Sequence, residues 1–142
     1  MTVAAILQGK GEEVVQVQST DSVLSAVQLL ATRRIGCVPV IDNGEVVGIF
    51  SERDLVYRVA TDGAAVLDQP VSAVMTSPAF TITPDTQVIQ GLSLMTQRRI
   101  RHLPVVADGR IVGLVSIGDL VKYRIDRIES EAEAMRVYIQ SA

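Results

Sequence analysis

The chain has no tryptophan, and its 142 residues include only two phenylalanines and three tyrosines. Aromatic side chains therefore cannot supply the bulk of a core. With 48% apolar residues, the core has to be built from Val, Ile, Leu and Ala, and the length allows one domain of respectable size. One cysteine, Cys37, excludes an internal disulfide; together with the one histidine, His102, it cannot close a zinc site. No apolar run approaches the roughly 18 residues that cross a bilayer, so no membrane partner is expected. Met1–Lys10 has no basic stretch ahead of its apolar residues and is followed by Glu12 and Glu13, which does not read as a secretory signal; the expected compartment is the cytoplasm. An excess of basic charge is missing too. There are 13 basic and 16 acidic residues, a net charge of −3 and a pI near 5.1, which argues against nucleic acid as a partner.

What the chain does have is the same stretch twice. Residues 18–56 align with residues 83–121 at a constant offset of 65 without a gap, and 14 of the 39 positions are identical. The matches include Arg33/Arg98, Arg34/Arg99, Ile35/Ile100, Pro39/Pro104, Gly48/Gly113, Ser51/Ser116 and Asp54/Asp119. Two copies of this size are too few for a solenoid. They are expected to form one body about a pseudo-twofold axis, with any ligand sites in related pairs.

Within each copy the pattern is strand, helix, hairpin, helix. Val14, Val15 and Val17 suggest a leading strand. Apolar residues at Val23, Ala26, Val27, Leu30 and Ala31 have the spacing of a one-sided helix, which Thr20 or Asp21 can cap. Val38–Ile41 and Val46–Phe50 flank Asp42-Asn43-Gly44, a hairpin turn, and a second helix opens at Ser51. The second copy repeats the order: a strand near Phe80–Thr83, a helix over 86–99, hairpin strands at Leu103–Val106 and Ile111–Val115, and a helix from Ser116. The fold class is α/β (α+β), divided as residues 1–62 (first repeat with the N-terminal segment), a 63–78 linker containing one helical turn at 71–75, 79–125 (second repeat) and a helical extension over 126–142. Along the last helix, from the second repeat into that extension, Val121, Ile125, Ile128, Ala132, Met135 and Ile139 recur at alternating spacings of four and three, the seam of a helix that pairs with another helix.

The strongest local chemistry is Gly-x-x-Ser-x-x-Asp, found as Gly48–Asp54 and again as Gly113–Asp119. In both a strand ends and a helix begins, a junction that offers N–H groups and the positive helix end to a phosphate. The aspartate one turn on can accept from a pair of sugar hydroxyls. The same residues also make a helix cap that needs no ligand, and both roles can coexist. Ahead of each proline the copies diverge: Gly36 and Cys37 in the first are small, Arg101 and His102 in the second are basic. A polyanion near the axis would touch the second copy, while the first leaves room. Alternatively, basic residues at these positions, and at Arg33, Arg34, Arg98 and Arg99, simply complement helix C-termini.

These marks together resemble a tandem pair of cystathionine β-synthase (CBS) domains, a Bateman module. They are two βαββα repeats, the Pro-Val strand openings at Ile35–Val40 and Ile100–Val105, the paired Gly-x-x-Ser-x-x-Asp-Leu, and Val74-Met75-Thr76 in the linker. The resemblance covers residues 1–125 and is to small stand-alone CBS pairs. It implies two clefts for adenosine-containing ligands: AMP first, then NAD(H), ADP or ATP, with S-adenosylmethionine behind them. It implies a main cleft in which Asp54 holds the ribose, Ser51 the ribose or phosphate, Ile100 packs on adenine, Arg101, His102 and Arg53 face phosphate, and Met75 and Thr76 line the linker side. A second cleft would join Ile35, Gly36 and Cys37 to Ser116 and Asp119. Its strand opening carries no basic side chain and Gly118 stands where Arg53 does in the first copy, leaving open a less charged adenosyl ligand, weak binding or none.

The function so implied is a non-catalytic adenine-nucleotide sensor, acting as a homodimer on an unidentified regulated protein. No catalytic residue and no metal ligand is expected: a nucleophilic enzyme would need a base, and the one histidine lies in the phosphate cleft. Cys37, among Ile35, Val38 and Val40, reads as buried and inert. The alternative is an adaptor or structural dimer with vestigial ligand sites, acting through its C-terminal helix.

Overall fold

The hairpins are the most local feature and they form in matching register. The computed structural model, which describes residues 1–11 and 13–141, pairs β1 (Cys37–Asp42) antiparallel with β2 (Glu45–Ser51), and β3 (His102–Ala107) with β4 (Arg110–Ser116). Cys37 faces Ser51 in one hairpin and His102 faces Ser116 in the other; each carries a register shift at the same place, between Val40 and Ile41 and between Val105 and Val106. Both turns need two consecutive residues with positive φ. Asn43-Gly44 (53° and 80°) and Asp108-Gly109 (52° and 75°) tolerate it, and such turns match the twist of the strands they join.

Around the hairpins stand α1 (Val3–Lys10), α2 (Val23–Arg33), α3 (Glu52–Asp62), α4 (Val88–Arg98) and α5 (Ile117–Ser141), with short 3-10 turns at Gly63–Asp68 and Val71–Ala73. The leading strand expected in each copy shrinks to one bridging residue. The Val17 N–H donates to the Pro39 carbonyl (3.2 Å) and the Val17 carbonyl accepts from Ile41 (2.8 Å); Ile82 does the same with Pro104 and Val106. Beyond Val17 the chain turns, because the Asp42 carboxylate captures the Ser19 N–H and hydroxyl. The cap of α2 also differs from expectation. Asp21 accepts from the Gln18 N–H and its carbonyl takes the Val71 N–H, so Ser22 is left to accept the Ser25 N–H. Helix α4 starts at Val88, held by the reciprocal Gln87/Gln90 pair, rather than at Thr86.

Each repeat has its own aliphatic core. One contains Val23, Leu30, Val38, Val40 and Phe50; the other Val88, Met95, Leu103, Val105, Val115 and Leu120. Each core is closed by the segment that precedes the other repeat. Val71 and Val74 of the linker seal the first, and Val3 and Ile6 of α1 seal the second. The opening helix, grouped by chain order with the first repeat, thus packs on the second. Residues 2–8 are the counterpart of residues 70–76: Thr2 bridges Gln87 as Pro70 bridges Ser22. Leu7 lies over Gly113 as Met75 lies over Gly48, each so close that a Cβ on the glycine would meet it at 2.4 and 2.6 Å. The repeats meet where β2 lies against β4, which places both Ser-x-x-Asp junctions along the shared middle of the molecule.

Candidate functional site: two clefts between the repeats

The strand-to-helix junctions fold as caps first. Ser51 Oγ accepts the Asp54 N–H (3.3 Å), and Asp54 Oδ2 accepts from the Ser51 N–H (2.9 Å) and hydroxyl (3.0 Å). Ser116 and Asp119 exchange the same backbone bonds at 3.1 and 2.8 Å. The next helical N–H, on Glu52, is already donated to the Gly36 carbonyl at 3.0 Å, as that of Ile117 is to Arg101 at 2.8 Å. Fewer N–H groups therefore remain for an anion than an open helix end would present. What the cap does provide is a fixed carboxylate, since Asp54 cannot rotate without breaking its bonds to Ser51.

A cleft of about 320 Å³ opens beside Asp54. It brings together Ser51, Arg53 and Asp54 of the first repeat with Ile100, Arg101 and His102 of the second, and Thr76 from the linker. Thr76 donates its hydroxyl to Asp54 Oδ1 at 2.8 Å. Met75 is not among the wall residues; it packs over Gly48 and into the first core. Arg53 lies in the wall with its guanidinium on the Arg99 carbonyl at 3.2 Å, the left-handed C-cap of α4. Five wall residues were expected in neither cleft: Ile49, Glu52, Pro78, Ala79 and Phe80. Phe80 is partly exposed, and the Arg98 guanidinium sits 4.6 Å from its ring centre, a cation–π contact. One of two phenylalanines, two residues after Pro78 at the start of the second repeat, was the available signal. His102 has its pKa lowered, first by burial and then by Arg101 and Lys10, with Asp119 and Glu52 pulling the other way. It is therefore neutral near pH 7 until an anion joins it.

The second cleft, about 370 Å³, is walled by Ile35, Gly36, Cys37 and Ser116, as the pseudo-symmetry requires, and by Lys10, Glu13, Val14 and Val15. Here the absence of a basic group, expected from the strand opening, is corrected by α1. Lys10 Nζ donates to Asp119 Oδ2 at 2.6 Å and to the Leu114 carbonyl at 3.0 Å. Burial works against ionisation of Asp119, but Lys10 and the Ser116 N–H outweigh it and hold the carboxyl below its usual range. Asp119 itself lies beneath Lys10 and is not a wall residue. The two aspartates therefore differ: the neutral Thr76 hydroxyl sits on Asp54 Oδ1, the oxygen outside the cap, whereas the Lys10 ammonium sits on Asp119 Oδ2, the oxygen that also accepts the Ser116 N–H. Cys37 is buried and its pKa is pushed up to about 12, by burial and then by Asp54, so it stays a thiol. Gly36 and His102 line both clefts, so the sites share a wall.

This arrangement has close relatives. Residues 11–61 and 71–126 each match the CBS domain family. The chain is 43% identical to the CBS-domain protein ATU1752 of Agrobacterium tumefaciens, whose crystal structure superposes with a TM-score of 0.83 over 87% of this chain and 99% of that one. The CBS pair of protein MJ0100, solved with 5-methylthioadenosine and S-adenosyl-L-methionine, is 25% identical with a TM-score of 0.78, covering 89% of this chain and 98% of that one. PAE2072 of Pyrobaculum aerophilum, solved with AMP, is 27% identical with a TM-score of 0.74 over 84% and 89% of the two chains. A curated relative, the mitochondrial CBS domain-containing protein CBSX3 of Arabidopsis thaliana, is 31% identical over 98% of this chain and 72% of its own. The chain belongs to the CBS-domain family, as a tandem pair with a long C-terminal helix. The matching family is not a catalytic one, and among the described residues no helix is long and apolar enough to cross a membrane.

Proposed function

We propose that this CBS pair is a non-catalytic regulatory module that binds an adenosine nucleotide in the cleft between Asp54 and His102. The observation that carries this is the main cleft itself: a carboxylate locked by its own cap, with Oδ1 held only by a hydroxyl, facing Arg101, His102 and Arg53 across a space large enough for a nucleotide. Asp54 takes the ribose diol, displacing or sharing Thr76. Ile100 and Phe80 offer apolar surface to the adenine, and the basic groups take phosphate. Three basic side chains favour AMP, then NAD(H), ADP or ATP, over the cationic S-adenosylmethionine; the AMP complex of PAE2072 supports that order, and the MJ0100 complex supports the wider adenosyl class. Binding alters the chain by joining the two repeats across the cleft, so the conformer with the repeats closer gains population. The module acts as a homodimer in the cytoplasm on a regulated protein.

Calorimetric titration with AMP, ADP, ATP, NAD, NADH and S-adenosylmethionine tests the reading. The expected result is micromolar binding of one or more phosphate-bearing adenosyl ligands without their turnover. Absence of heat with all six at millimolar ligand would end the sensor reading. The exposed apolar stripe of α5 would then favour the adaptor reading instead.

A further inference from the structure

From Ile125 to Ser141 every residue of α5 is exposed, so the second half of this helix touches nothing in its own chain that covers it. At 1.5 Å per residue the bare segment is about 25 Å long. A projecting helix of this length is marginal alone in water. Yet it carries Ile125, Ile128, Met135 and Ile139, each between 49% and 65% exposed. In heptad terms Ile125, Ala132 and Ile139 take the a positions, and Val121, Ile128 and Met135 the d positions.

We infer that α5 is covered by α5 of a second copy in a parallel, in-register two-stranded coil. The charges beside the seam select the partner and its direction. Lys122, Glu129 and Arg136 take the e positions, and Arg124, Glu131 and Tyr138 the g positions. In a parallel coil each g residue faces the e residue five further along the other strand. That sets Arg124 against the partner subunit's Glu129 and Glu131 against the partner subunit's Arg136, each pair occurring twice by symmetry. A fully overlapped antiparallel pair would instead oppose Glu129 to Glu129, Glu131 to Glu131 and Lys122 to Arg136, all like charges. Shorter antiparallel overlaps leave one end of the seam in water.

Among the described residues neither Arg124 nor Glu129 has an ion-pair partner within the chain. Glu131 and Arg136 do, with Arg127 (3.3 Å) and Glu133 (3.0 Å), in exposed pairs that a partner strand can redirect. β-Branched isoleucine at two a positions suits two strands, but Val121 and Ile128 at d are β-branched as well, so the number of strands is taken from the homodimer proposed above. The inference specifies the contact in the homodimer proposed above and does not depend on any ligand.

Sedimentation equilibrium on the full chain decides it. Wild type should be a dimer. Glu129→Arg, at an exposed site, should raise the dimer dissociation constant about tenfold by turning two attractions into repulsions. Adding Arg124→Glu should restore wild-type association. In the parallel coil the Ile139→Cys variant should also cross-link to itself under mild oxidation, with Cys37 buried and silent. A monomeric wild type overturns both this inference and the dimer reading. A dimer that ignores Glu129→Arg and leaves Ile139→Cys unlinked overturns the coil alone. A double variant weaker than either single overturns the parallel register.

Discussion

Replacing Asp54 by alanine separates its two jobs, because the structure assigns a cost to each. In the free protein the carboxylate accepts from the Ser51 N–H, the Ser51 hydroxyl and the Thr76 hydroxyl. Losing a cap of this kind costs about 1 kcal/mol, with up to about 1 more for the Thr76 tie. For a chain of this size that lowers Tm by roughly 3–8 °C. In the complex, the ribose diol donates two hydrogen bonds to a charged acceptor. Taking about 1.5 kcal/mol for each, the low end for charged partners, the loss is about 3 kcal/mol, or roughly a hundredfold in affinity. At a ligand concentration about 100 times the wild-type Kd, the wild type gains about 2.7 kcal/mol. The variant, now near its own Kd, gains only about 0.4 kcal/mol. In a thermal melt, each protein measured against its own ligand-free Tm, a shift of roughly 8 °C should therefore fall to about 1 °C. Equal shifts in the two proteins would refute the placement of ribose on Asp54, whatever the variant's basal stability.

Other expectations follow from particular contacts. Lys10→Met releases Asp119 and should raise the calorimetric stoichiometry of an adenosyl ligand toward two per chain, at a stability cost below about 1 kcal/mol for so exposed an ion pair; an unchanged stoichiometry and affinity would show that Lys10 does not guard the second cleft. His102 has a folded-state pKa below its unfolded one, so the unfolded chain binds the extra proton. Stability is whole above about pH 6.5 and should fall as pH drops below it, and His102→Gln should flatten that limb in urea titrations while leaving the carboxylate loss below about pH 4. A ligand phosphate beside His102 should raise its pKa, so binding near pH 6 should take up protons, seen as a buffer-dependent heat; its absence would move the phosphate elsewhere. Gly48→Ala places a Cβ 2.9 Å from the Thr76 carbonyl oxygen, backbone that cannot swing away, and should cost about 1–3 kcal/mol in chemical denaturation.

The residues of these predictions differ in how they could be found. Ser51, Asp54, Ser116 and Asp119 stand out in the sequence because capping chemistry acts over three residues and because the motif occurs twice. Ile100 to His102 were legible by position in the repeat. Phe80 was not, since it lies ahead of residues 83–121, the stretch of the second copy that aligns with the first. Met75 was placed in the main cleft by resemblance; the structure turns it onto Gly48, where the missing side chain makes a slot for it. The short β-branched runs at Val14–Val17 and Phe80–Thr83 read as strands, but each keeps a single bridging residue because pairing along β1 and β3 ends within two hydrogen bonds.

The sequence by itself determined the repeat, its hairpins and turns, the aliphatic cores, the two caps and the heptad stripe of α5. All of these rest on interactions between residues close in the chain, or on periodicity that one-sided burial imposes. Only the tertiary structure decided that α1 seals the second repeat rather than the first. It alone put Lys10 on Asp119, 109 positions away, and made Gly36 and His102 a wall common to both clefts. Contacts of that range depend on how two cores dock, and a carboxylate looks the same in sequence whether a hydroxyl or an ammonium lies across from it.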